Sequence, residues 1–95
     1  MNVMEKEEIL ITEINMKIIG YNLKRLREAK GYSQEYVANH FEMSQYYYRQ
    51  IEKGRANTTI MLLSRLANFF NVSLRDLLEE NKKWEYNFIY RFNHP

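Results

Sequence analysis

The stretch Ser33 to Gly54, SQEYVANHFEMSQYYYRQIEKG, constrains the fold more than any other part of this chain. Ser33 is a good helix N-cap, and Val37, Ala38 and Phe41 form an apolar stripe behind it. After Glu42-Met43, a second serine, Ser44, opens a run whose apolar positions are Tyr47 or Tyr48 and Ile51, and Gly54 ends that run. The pattern predicts two short helices joined by a tight turn. Gln45, Tyr46, Arg49 and Gln50 then point away from the apolar face of the second helix, and side chains of these types suit base edges and phosphates.

The rest of the chain must support this pair. At 95 residues it forms one domain with one core, burying about 60 to 65% of its unfolded surface. A hydrophobic content of 45% has to supply the stability, because there are no cysteines for disulfides or thiolate metal sites. Cysteine-free composition fits a reducing compartment. No run reaches the ~18 apolar residues of a membrane span, and the start MNVMEKEEIL has no basic segment followed by a long apolar one. A cytoplasmic protein without membrane attachment is expected. The net charge of +2 is uninformative, but its distribution is not: residues 17–55 carry +4 and the remainder −2. A basic middle flanked by acidic ends is what a local phosphate footprint produces, and solvated helix faces can give a similar tally.

Three segments follow in order. Residues 1–16 form an N-terminal extension in which Ile9, Ile11 and Thr12 favour a strand by β-branching, with a helix running on into the next element as the alternative. Residues 17–80 form the helical domain. Its first helix is predicted over 17–30, with Ile19, Leu23 and Leu26 facing the core and Gly31 as the stop. A fourth helix starts near Thr59 with Ile60, Leu63, Leu66, Ala67 and Phe70 inward; Met61, Leu62 and Phe69 fall outside that stripe and call for a second partner. A fifth begins at Ser73, paired with Asp76 in a capping-box spacing, and adds Leu74, Leu77 and Leu78 to the core, while Asn71 is the left-handed residue between the two. Residues 81–95 change period to two: Trp84, Tyr86, Phe88, Tyr90 and Phe92 alternate with Glu85, Asn87, Ile89 and Arg91, which predicts a strand with one aromatic face. A lone strand needs a pairing partner. The choices are the 9–14 segment or a second copy of the chain.

The ordered residues Leu23-Lys24-Arg25-Leu26-Arg27, Ser33-Gln34-Glu35, Val37-Ala38, Met43-Ser44, Ile51-Glu52-Lys53-Gly54, Leu63, Leu66-Ala67, Val72-Ser73 and Leu77-Leu78 resemble the lambda-repressor-like, Cro and xenobiotic-response-element type helix-turn-helix DNA-binding family. The resemblance covers about two thirds of the chain, from Ile19 to Leu78. It implies a mainly α fold, a five-helix lambda-repressor-like domain here extended by a C-terminal strand and, on the reading above, an N-terminal one. It further implies that helix 3, residues 44–53, enters the major groove of double-stranded DNA. By position, Gln45, Tyr46, Arg49 and Gln50 would contact bases, Arg49 being equally able to take a phosphate, and Gln34, Ser44, Lys53, Arg55 and Asn57 phosphates. Arg27 and Glu52 match a structural salt bridge of the family. Glu42 departs from it, standing where the turn usually has glycine and a positive φ; Thr58 replaces a common proline.

Other chemistries find little support. His40 and His94 have no Cys, Asp or Glu at ligand spacing, so no metal or other cofactor is expected, and no arrangement of nucleophile, base and carboxylate or glycine-rich phosphate loop suggests an enzyme. The aromatic tail admits two roles. It packs over Met61, Leu62 and Phe69 of its own domain, or these three residues with Trp84, Tyr86, Phe88 and Tyr90 build a homodimer interface. Dimerisation is favoured because one short helix makes too few base contacts. The functional expectation is a sequence-specific dimeric repressor. The competing class is a protein-interaction module or antitoxin-like protein that binds a protein partner through the aromatic tail.

Overall fold

A computed structural model describes residues 3–80, with side chains from residue 15 onward. It contains five helices: α1 (Val3–Lys30), α2 (Gln34–His40), α3 (Gln45–Glu52), α4 (Ile60–Phe69) and α5 (Leu74–Leu78). No strand occurs among the described residues. The predicted tail strand lies outside them.

Each helix after the first starts in the same way. Ser33, Ser44, Thr59 and Ser73 have extended backbones and accept, through their hydroxyl oxygens, the backbone N–H three residues on. This satisfies one of the orphan donors of a helix N-terminus. Ser73 adds the reciprocal bond, its own N–H donating to Asp76 Oδ2 at 2.9 Å. The stops are just as uniform. Just beyond α1, α2, α3 and α4 one residue donates back five residues and the residue before it donates back three: Tyr32 to Arg27 and Gly31 to Glu28, Met43 to Ala38 and Glu42 to Asn39, Arg55 to Gln50 and Gly54 to Ile51, Val72 to Ala67 and Asn71 to Asn68. The residue that donates back three is left-handed in every case, with φ of 72° at Gly31, 54° at Glu42, 71° at Gly54 and 58° at Asn71. These four Schellman closures cut the chain into short helices and set where each points.

Ile19, Leu23 and Leu26 of α1, Val37 and Ala38 of α2, Tyr48 and Ile51 of α3, Leu63, Leu66, Ala67 and Phe70 around α4, and Leu77 of α5 form one buried core. α1 packs on α3 and α5, α2 on α3, and α4 on α5. α1 therefore acts as the spine.

Three expectations are corrected. The N-terminal segment is not a strand: α1 is a single 28-residue helix that runs through the predicted start at residue 17. β-branched residues cost a helix only tenths of a kcal/mol each, no proline interrupts the run, and an unpaired strand has nowhere to put its backbone hydrogen bonds. Ile60 is 72% exposed and outside the core. It is the first residue of α4, and helical side chains lean toward the N-terminus, which carries this one past the packed layer. Leu78, at the end of the five-residue α5, is 44% exposed. Of the three residues that fell outside the α4 stripe, Met61 is exposed, Leu62 is half-buried against the core, and Phe69 packs within a ring cluster of its own domain. Its ring centroid lies 4.5 Å from that of His40, 5.3 Å from Phe41 and 5.8 Å from Tyr32.

Candidate nucleic-acid interface

α3 has two unlike faces. Tyr48, Ile51 and Glu52 are buried, while Gln45, Arg49 and Lys53 are exposed, Tyr46 is 70% exposed and Gln50 half-buried. Positions 45, 46, 49, 50 and 53 recur at helical spacing, so the exposed side chains share one surface. Ser44 caps that surface at its N-terminal end, its Oγ accepting from Tyr47 N at 3.0 Å.

The buried face is held from three directions. Glu52 takes a bidentate contact from Arg27 of α1, Nε to Oε2 at 2.7 Å and Nη2 to Oε1 at 3.1 Å, and Arg27 Nη1 also donates to Tyr32 O at 2.9 Å. Both side chains are largely buried, at 12% and 3% exposure, so the pair is shielded and geometrically fixed, unlike a surface ion pair. Its hydrogen bond with Glu52 raises the Arg27 pKa further above an already basic value. The second constraint is backbone proximity. A Cβ on Gly20 would sit 2.6 Å from Ile51 O and closer still to Glu52 O, and one on Gly54 would sit 2.8 Å from Lys17 Cα. Glycines at 20 and 54 are what let α1 lie directly against the end of α3. The third is Tyr48, fully buried, whose hydroxyl makes no hydrogen bond among the described residues. Burial, reinforced by the Glu52 carboxylate, pushes this phenol well above its ordinary range.

The predicted phosphate-contacting residues do not all stand alike. Lys53, Arg55 and Asn57 are exposed in the segment after α3, and Tyr47 donates to Asn57 O at 3.3 Å, tying that segment to the helix. Gln34 is half-buried, donating through Nε2 to Glu52 Oε1 at 3.1 Å and accepting from Arg49 Nε at 3.4 Å. Sequence reasoning missed this link. It also missed Asn22, which is buried and donates to the backbone oxygens of Leu77 at 2.9 Å and Glu79 at 3.1 Å, closing the end of α5. A signal for Asn22 was present, since it is the polar residue inside the stripe Ile19, Leu23, Leu26. No helix among the described residues is long and apolar enough to cross a membrane.

The helix-turn-helix family model matches residues 23–77, which contain all of this geometry from Arg27 to Leu77. An HTH-type transcriptional regulator of Sinorhizobium fredii, y4dJ, described as uncharacterized, is 40% identical over 62 residues, 65% of this chain and 80% of that protein. The HTH-type transcriptional regulator SinR of Bacillus subtilis is 31% identical over 71 residues, 74% of this chain and 64% of SinR. The control protein C.MunI of a Mycoplasma species is 31% identical over 65 residues, 67% of this chain and 88% of that protein. No solved structure matches the chain at comparable significance. The matched span and these relatives agree with the capped helices and the two-faced α3: the chain belongs to the helix-turn-helix family of xenobiotic-response-element type DNA-binding transcriptional regulators.

Proposed function

We propose that this protein is a dimeric repressor that reads a specific DNA sequence by placing α3 in the major groove. The observation that carries the reading is the contrast between the two faces of α3: Glu52, Ile51 and Tyr48 are locked inside, and Gln45, Tyr46, Arg49 and Gln50 share the outer surface. A rigidly seated helix presenting amide, phenol and guanidinium groups suits base-edge recognition, where a bidentate pair discriminates by about 1 to 3 kcal/mol per base. Ser44, Gln34, Lys53, Arg55 and Asn57 flank that surface at the start of α2, the start of α3 and the loop beyond, and take phosphates. Two copies reading half-sites about one helical turn apart supply the contacts that one eight-residue helix cannot. The exposed Met61 and the half-buried Leu62, with the aromatic tail of Trp84, Tyr86, Phe88 and Tyr90, bring the copies together, Phe69 being engaged with Tyr32, His40 and Phe41 of its own domain.

Selection from a pool of random duplexes should yield a palindromic site. A chain carrying Gln45→Ala and Gln50→Ala should bind that site at least 100-fold more weakly in a fluorescence-anisotropy titration. Unchanged binding would remove the assignment of α3 as the reader.

A further inference from the structure

Gln34 carries one acceptor oxygen and one NH2 group, and its surroundings assign both. Glu52 Oε1, 3.1 Å from Nε2, can only accept; Arg49 Nε, 3.4 Å from Oε1, can only donate. Turning the amide over would set oxygen against carboxylate and NH2 against guanidinium, so the orientation is fixed by chemistry. Glu52 is itself anchored by the two bonds from Arg27. A chain of polar contacts thus runs from α1, through the buried end of α3 and the first residue of α2, to a side chain on the exposed face of α3. The rigid end is Arg27 and the free end is Arg49.

Resting on the DNA-reading function proposed above, we infer that Gln34 is a positioning residue that holds Arg49 for end-on recognition of a guanine. With Nε–H directed at Gln34, the Nε edge of the guanidinium is occupied. The two Nη groups remain, and their parallel hydrogens span the O6 and N7 acceptors of guanine in the major groove. Arg49 lies three residues from Tyr46 and four from Gln45 on the same exposed surface, in the middle of the reading face and not in the phosphate-flanking loop. A tethered arginine also loses less side-chain freedom on binding than one free in solvent. Gln34 retains a second amide hydrogen, so a phosphate contact and the positioning role are compatible.

The test uses the full chain, the selected duplex and a set of duplexes altered at each base pair in turn. Arg49→Ala should cost about 10-fold in affinity and abolish discrimination at one G·C pair. Gln34→Met, which keeps the length and removes both hydrogen bonds, should cost about 5- to 10-fold and relax discrimination at that same pair and no other. Adding Gln34→Met to Arg49→Ala should lower affinity only by the sequence-independent loss of the Gln34 phosphate contact and leave discrimination at every base pair as it is in Arg49→Ala. In the free protein, the Nε–Hε resonance of Arg49 should move in Gln34→Met, reporting loss of the 3.4 Å contact, while the change in discrimination confined to one base pair is the response that a merely structural role of Gln34 does not give. Should the methionine variant melt early, Gln34→Ala is read against the same duplex set. Unchanged discrimination at that G·C pair in Gln34→Met, or a further change in discrimination when Gln34→Met is added to Arg49→Ala, would overturn the inference. The two layers separate cleanly: if the Gln45, Gln50 double variant binds as well as the parent, the DNA-reading proposal falls and takes this inference with it. If that variant fails to bind while Gln34→Met discriminates normally, only the positioning role falls.

Discussion

Tyr48 concentrates the chemistry of this protein at the level of one residue. Its ring is fully buried, and the hydroxyl is buried with it without a hydrogen-bond partner among the described residues. A buried unbonded polar group costs about 1 to 3 kcal/mol, offset here by burial of a large ring at the α3 core position. Tyr48→Phe should therefore be neutral or stabilising by about 1 kcal/mol in urea unfolding at pH 7. A second consequence concerns alkaline pH. The folded phenol is shifted upward from its ordinary value of 10.0, so above that pH the unfolded chain releases a proton that the folded chain keeps. Stability contributed in this way is complete below the unfolded value and falls as pH rises, by up to about 1.4 kcal/mol per unit. Unfolding between pH 9 and 11.5 should show a steeper loss in the parent than in Tyr48→Phe; equal slopes would contradict it. Glu42, like Asn71, is a non-glycine residue with a left-handed backbone, at φ 54° in the turn between the two helices of the motif. A left-handed non-glycine residue costs about 1 kcal/mol, and the two Schellman bonds at Met43 and Glu42 hold it there.

Among the elements, the seating of α3 on α1 decides how the candidate reading face is presented. Gly20 is the informative residue because two effects oppose each other. In the middle of a helix, glycine to alanine ordinarily stabilises by about 0.5 to 1 kcal/mol. At this position the added Cβ would meet the backbone oxygens of Ile51 and Glu52, the former at 2.6 Å, and backbone cannot move aside as a flexible side chain can. The clash should win. Gly20→Ala is expected to lose about 2 kcal/mol in denaturant unfolding and to displace α3 from α1, visible as shifted amide resonances of Ile51 and Glu52. A stabilised variant would mean that α3 tolerates a Cβ at position 20 without leaving α1. Most element boundaries were legible from residue types: Ser33, Ser44, Thr59 and Ser73 cap, and Gly31, Gly54 and Asn71 stop, because caps and left-handed closures depend on chemistry within five residues; the left-handed stop at Glu42 was not, since a glutamate does not signal a positive φ. The length of α1 was not legible, because a β-branched run such as Ile9 to Ile14 scores for both helix and strand, and long-range pairing decides between them.

At the scale of the whole molecule, the proposed dimer makes a physical claim about the tail. A chain ending at Asn81 should sediment as a monomer while the full chain sediments as a dimer; a dimer that survives truncation would move the interface onto α4 and α5. Exposed Ile60 and Met61 would then be its first candidates. The core needs no such help, since Leu23, Leu26, Val37, Leu66, Phe70 and Leu77 are completely enclosed by the five helices. What the chain determined on its own was the helix-turn-helix pattern, its caps, its stops, the inward face of each motif helix and the residues left facing outward on α3. All of these follow from spacing and from interactions that span at most a few residues. The fold alone decided the rest: that Phe69 finds its partners in Tyr32, His40 and Phe41, that Asn22 closes α5 more than fifty residues away, and that Gln34 joins the Arg27–Glu52 pair to Arg49. Side chains that meet across such distances leave no periodicity in one sequence, and a polar group reveals its partner only when packing has excluded water from the alternatives.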